Sequence, residues 1–229
     1  MIFLENAYLK EFTANVLMAS ENQIILDKTA FYARSGGQPG DTGKLYIKNN
    51  EISIIDTIYN EKKEIVHLFD GNYKIEKNSE VKGLIIWENR YQYMKMHSAL
   101  HLLCSLIPYE VTGGQIGLEK SRLDFNADQK IDKENLQLKM NNLINMDHDI
   151  TYEWITYEQL DKNPDLVRTM SVKPPRTDKK IRLVKIGNID LQPCGGTHVN
   201  KTNEIGVINI GKIENKGKMN KRIYITLKN

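Results

Sequence analysis

Four side chains in this sequence have the types and the spacing to hold one metal ion. His97 and His101 stand four apart in HSALH, and Cys194 and His198 stand four apart in QPCGGTHV. At i and i+4 of a helix, two imidazoles project from one face, near enough to grip a single ion. In the second pair Gly195 and Gly196 are expected to let the backbone turn tightly, so that thiol and imidazole point the same way. Three imidazoles and one thiolate form a borderline-soft donor set that suits tetrahedral Zn²⁺ better than Mg²⁺ or Ca²⁺. Each pair alone has a plain explanation, a chance HxxxH or a buried Cys in a glycine turn. Together, in a chain with five His and two Cys, they point to one shared zinc ion. A peptidase of the HExxH type is excluded, because Ser98 stands where that chemistry needs a general-base Glu.

The elements that must position these residues fall into two regions. Residues 1–88 read as short strands and turns: NQIILDKTAF, GKLYIKNNEISIIDTIY and KEIVHLF are β-branched and partly alternating, with Gly, Asn and Asp between them. A β-barrel-like domain closes so many short strands. Residues 89–229 read as an α+β domain with helices against an antiparallel sheet. RYQYMKMHSALHLLCSLIP is a helix stopped at Pro108. A second helix runs from about Asp132, its cap, to Met146, with Leu136, Met140, Leu143 and Ile144 as its apolar stripe. ITYEWIT alternates as a strand with Ile150, Tyr152 and Trp154 on one face. VKPPR is a loop, IRLVKIGN a strand, and IGVINIGKI with RIYITL a closing hairpin. The fold class is therefore α+β, a strand-rich barrel-like region followed by the metal-binding domain.

Composition narrows the function classes. At 229 residues the chain forms one large or two modest domains, and 40% hydrophobic with 27% charged residues is ordinary for a globular protein. The opening MIFLENAYLKEF carries acidic groups and lacks a basic start, unlike a secretory signal. No apolar run approaches the roughly 18 residues of a membrane span, so the expectation is a cytoplasmic protein with no membrane partner. Cys104 and Cys194 are too few for a disulfide framework; Cys104 is read as a core residue. His67 and His148 have no partner apparent in the sequence, and a net charge of +3 permits nucleic-acid binding without arguing for it.

HSALH with a distant CGGTH resembles the paired zinc motifs of the alanyl-tRNA synthetase editing domain and its free-standing relatives, the AlaX family. LDKTAFYARSGGQPGDTG, Leu26 to Gly43, is similar to the family's Gly-rich segment. SRLDF, Ser121 to Phe125, and KRIYIT resemble two of its strands, so the likeness runs from about Leu26 to Thr226. It implies a zinc-dependent aminoacyl-tRNA deacylase of the medium-length AlaX type, which edits in trans. Its substrate would be the acceptor stem of tRNA(Ala) carrying serine or glycine. No phosphate loop is present, so no ATP is involved and tRNA charging is excluded.

The same likeness places Thr112 and Gln115, in VTGGQIG, in the amino-acid pocket, and brings the backbone at Gly36 and Gly37 against the terminal ribose or aminoacyl group. Ordinary turns account for both segments without it. Arg34, Lys218, Lys221 and Arg222 are candidates for phosphate contact. Three protein ligands would leave zinc free to bring the pKa of a water to about 7. Four would fill a tetrahedral shell, leaving the ion to expand its coordination, release a ligand, or hold and polarise the substrate. Two other readings remain: a non-catalytic tRNA-binding module with structural zinc, and an esterase for free small molecules.

Overall fold

The computed structural model describes residues 1–169 and 180–228; the VKPPR segment, residues 172–176, lies outside them. The chain divides between Gln92 and Tyr93 into two compact units. In the first, β1 (Glu11–Ser20), β2 (Gln23–Leu26), β3 (Gly43–Ile47), β4 (Asn50–Tyr59), β5 (Ile65–Phe69) and β6 (Glu80–Ile85) close into a barrel in the order β1-β2-β5-β4-β3-β6. Every pairing is antiparallel, and closure leaves no free sheet edge. Alternation dictates the burial. On β1, Phe12, Ala14 and Val16 turn inward while Glu11, Thr13 and Asn15 face water. Leu45, Ile52, Phe69 and Val81 fill the same core. β1 and β6 lie outside the strands the sequence suggests, although EVKGLI carries the same alternation.

Two buried polar groups organise this barrel. His67 is fully enclosed; its Nδ1 lies 3.1 Å from the Ile24 carbonyl and its Nε2 2.8 Å from Thr29 Oγ1. Nδ1–H therefore donates to the carbonyl, and Nε2 accepts from the hydroxyl. Burial pushes the His67 pKa down to about 4, so the ring is neutral at physiological pH. Arg90, in the first turn of helix α1 (Trp87–Leu106), is equally buried. Its guanidinium pairs with Asp41 and donates to the carbonyls of Ala7 at 2.9 Å and Ala30 at 2.6 Å. The Asp41 carboxylate also accepts the Tyr32 backbone N–H, so the ion pair pins the end of the Gly-rich segment to α1.

The second unit carries the rest of α1 and two antiparallel sheets. β7 (Val111–Gln115), β8 (Lys120–Phe125), β12 (Ile208–Asn215) and β13 (Lys221–Leu227) form one, in the order β12-β13-β8-β7. β9 (Ile150–Ile155), β10 (Ile181–Ile186) and β11 (Asp190–Pro193) form the other, in the order β11-β10-β9. Helix α2 (Lys133–Asn145) starts at Asp132, whose carboxylate accepts the Asn135 N–H at 3.1 Å. Its buried stripe is Leu136, Met140 and Ile144. From its polar flank Asn141 and Gln137 bond the backbone of Ile208 and Ile210 at 2.9 Å each, which satisfies the edge of β12. Helix α3 (Tyr157–Asp161) opens on a capping box between Thr156 and Gln159. Leu160 there packs on Ile181 and Leu183, covering one face of the three-stranded sheet. Trp154 alternates with Tyr152 as the sequence suggests, yet it is 48% exposed. Among the described residues no helix is long and apolar enough to cross a membrane.

Candidate metal centre

Helix α1 is buried nearly all round: Met94, Met96, Ala99, Leu100, Leu102 and Leu103 are all in the core. That burial fixes the rotation of the helix and so the direction of His97 and His101, whose rings lie 5.2 Å apart. The second pair is aimed by the sheet. Cys194 continues the β11 ladder, donating its N–H to the Arg182 carbonyl at 3.1 Å. The turn after it is held from two sides. The Gly196 N–H points at Cys194 Sγ from 3.3 Å, and Arg182 Nη2 donates to the Gly196 carbonyl at 2.8 Å. His198 then enters between the α1 imidazoles, 4.2 Å from the His97 ring and 4.6 Å from the His101 ring.

The donor atoms of His97, His101, Cys194 and His198 all lie within 4.8 Å of one another. Cys194 Sγ is 3.4 Å from His97 Nε2 and 3.3 Å from His198 Nε2. Sulfur and nitrogen ligands around a tetrahedral zinc would be about 3.5 Å apart. The four residues thus form a group that could hold a metal ion, with three imidazoles 8% exposed or less. The second nitrogens of two of them are also occupied. His101 Nδ1 is 3.0 Å from Asp190 Oδ2, and His198 Nδ1 is 3.2 Å from Ser98 Oγ.

Electrostatics in the cluster favour a thiolate. Burial pushes the Cys194 thiol up, but the adjacent His97 and His198 imidazoles and the hydrogen bond from His101 outweigh it and hold Cys194 well below the usual thiol range. Burial likewise opposes charge on His101, yet its bonds to Asp190 and Cys194 carry its pKa up to about 10. Desolvation, then the His97 charge, keep His198 well below the ordinary histidine value. Cys104, three residues after His101, is the contrast: burial pushes its thiol up to about 11 and it packs as a neutral core group.

The other candidates lie on other elements. Thr112 and Gln115 are on β7, a strand where a turn was the plain expectation. Thr112 sits at an irregularity in the β7–β8 register, with Oγ1 3.5 Å from Asn220 Oδ1. Gln115, paired with Arg122, is exposed. Gly36 and Gly37 adopt φ of 55° and 83°, the left-handed region, inside the Ser35–Gln38 turn of the first unit. Gly195 differs from the sequence expectation: its φ is not positive and a Cβ there would meet nothing within 4 Å. The turn before His198 is shaped by the Gly196 and Arg182 contacts rather than by freedom at Gly195. Of the phosphate candidates, Arg34 pairs with Asp56, and Arg222 is held at 2.8 Å by both Asp124 oxygens. Lys221 bonds Asn215 at 2.7 Å, and Lys218 is exposed.

Sequence reasoning missed Asp190, Gln192, Ser98 and Arg182. A signal for the first two existed: Asp190, Gln192 and Cys194 alternate along one strand and so share a face.

A closed antiparallel barrel, followed in sequence by an α+β unit with a largely buried His₃Cys cluster, defines the class: a two-unit protein whose second unit could hold a metal ion. Residues 181–224 match the family described as threonyl and alanyl tRNA synthetase second additional domain. Residues 3–89 match tRNA synthetases class II (A). The alanyl-tRNA editing protein AlaX-M of Saccharolobus solfataricus is 37% identical over 99% of this chain and 98% of its own length. That of Methanosarcina acetivorans is 34% identical with the same coverage. An alanine–tRNA ligase of Thermoplasma acidophilum is 35% identical over 93% of this chain but only 25% of its own length. The chain belongs to the AlaX family of alanyl-tRNA editing proteins.

Proposed function

We propose that this protein is a trans-editing hydrolase that removes serine, and also glycine, from mischarged tRNA(Ala), using zinc held by His97, His101, Cys194 and His198. The observation that carries it is the convergence of those four donors in a chain alike over nearly its whole length to proteins named for alanyl-tRNA editing. The donor set supports zinc, because three imidazoles and a thiolate match its softness and a tetrahedral shell. When bound, zinc supplies positive charge that holds the aminoacyl group and stabilises negative charge developing on the ester oxygen.

The chain's own residues do the remainder. The Gly196 N–H and the imidazoles around Cys194 keep its sulfur a thiolate. Alanine and serine differ by one hydroxyl, which an apolar pocket rejects poorly. Selection for serine therefore needs a polar group that bonds that hydroxyl and is left unpaired by alanine. Thr112 Oγ1 and the Gln115 amide are the assigned groups. Gly36 and Gly37 in the barrel domain, residues 1–88, offer backbone free of side chains to the terminal ribose. The metal site and pocket belong to the editing domain, residues 89–229. Acting on charged tRNA places the protein in the cytoplasm.

Four protein donors would saturate a tetrahedral ion, and that favours a second reading, a tRNA-binding module with structural zinc. Deacylation assays with Ser-, Gly- and Ala-charged tRNA(Ala) separate the two. Editing releases serine and glycine, spares alanine and stops under a chelator; the binding module releases nothing.

A further inference from the structure

We infer that Asp190 is a positioning residue of the metal centre: it engages Nδ1 of His101 and so leaves Nε2 of that ring to serve the metal. The inference rests on the reading of the four-residue cluster as a metal site.

Asp190, Gln192 and Cys194 stand at i, i+2 and i+4 along β11 and its extension, so their side chains share one face of the three-stranded sheet. The face that brings the thiol to the cluster therefore brings the carboxylate too. Asp190 Oδ2 lies 3.0 Å from His101 Nδ1, and both side chains are almost fully enclosed, at 5% and 7% exposure. Gln192 Nε2 donates to the same oxygen at 2.8 Å, which fixes the carboxylate's orientation. That oxygen already accepts from Gln192, so it accepts from His101 too and the proton between the two residues sits on Nδ1. With Nδ1 so engaged, Nε2 is the His101 nitrogen left to serve as a metal ligand.

Ser98 plays the neutral counterpart. Its Oγ lies 3.2 Å from His198 Nδ1 and accepts the Val199 N–H at 3.3 Å. It orients one imidazole without adding charge.

The test is Asp190→Asn, which keeps the shape and removes the charge. Two quantities are measured on the full chain: the zinc dissociation constant, by competition with a chromophoric chelator, and thermal unfolding of the metal-free protein. The expected result is zinc binding weakened about 10- to 100-fold at a temperature where the metal-free variant is still folded; its metal-free unfolding temperature also falls, because the variant breaks the buried His101–Asp190 pair. A merely structural Asp190 would lower the metal-free unfolding temperature and leave the affinity alone. A dissociation constant within about twofold of wild type overturns the inference. Should Asp190→Asn fail to fold, Gln192→Met decides, since it frees the carboxylate from its orienting donor. Several-fold weaker zinc binding supports the assignment and wild-type affinity overturns it. A wild-type chain that binds no zinc overturns the metal-site reading itself and this inference with it, an outcome distinct from a failure of the variants alone.

Discussion

At the scale of single residues, the two cysteines show how environment, not residue type, assigns a role. Cys104 is buried and its thiol is pushed up to about 11, whereas Cys194 is held as a thiolate by the imidazoles around it. Iodoacetamide at pH 7.5 should therefore modify Cys194 in metal-free protein, leave Cys104 untouched, and modify neither once zinc is bound. Peptide mapping by mass spectrometry checks this, and preferential labelling of Cys104 would contradict it. Thr112 belongs to the same scale. Thr112→Val keeps the volume and removes the hydroxyl, so release of serine from tRNA(Ala) should slow about tenfold or more while zinc stays bound. Unchanged kinetics would remove Thr112 from the pocket. The convergence of His97, His101, Cys194 and His198 was legible in sequence because spacing of four carries meaning in a helix and in a tight turn. Asp190 was not, because a lone acidic residue in a strand reads as solvated charge until the sheet is seen to place it against α1.

Among the elements, legibility followed the strength of the local signal. α1 and α2 carry good helix formers, a capping Asp132 and a stopping Pro108, and they lie where their patterns place them. β7 was hidden because VTGGQ has two glycines, which favour a turn; pairing with β8 overrides that preference. The barrel strands were legible as a class, while β1 and β6 emerge only through closure. His67 gives this barrel a pH signature. Its pKa falls from 6.5 to about 4 on folding, so below pH 6.5 the unfolded chain takes up a proton that the folded barrel refuses. Its contribution is constant above pH 6.5 and declines as pH drops to 4, a loss of about 3 kcal/mol over that window. Equilibrium urea unfolding should show the decline, and His67→Gln should remove it; an equal slope in that variant would contradict the assignment.

The whole molecule combines two compact units, the second with a His₃Cys cluster that could hold a metal ion, and its likeness to AlaX-M proteins spans nearly the full chain. A net charge of only +3 leaves RNA recognition to placed groups rather than to bulk attraction. Several of the basic residues singled out from sequence are already paired, Arg34 with Asp56 and Arg222 with Asp124. The proposed activity depends on the four donors working as one ion site. The most direct measurement titrates metal-free protein with zinc and follows single-turnover release of serine from Ser-tRNA(Ala). The rate should rise in proportion to added zinc and level off at one ion per chain, as four ligands around one centre demand. Serine release by metal-free protein at the full rate, or a rate indifferent to zinc, would contradict the account.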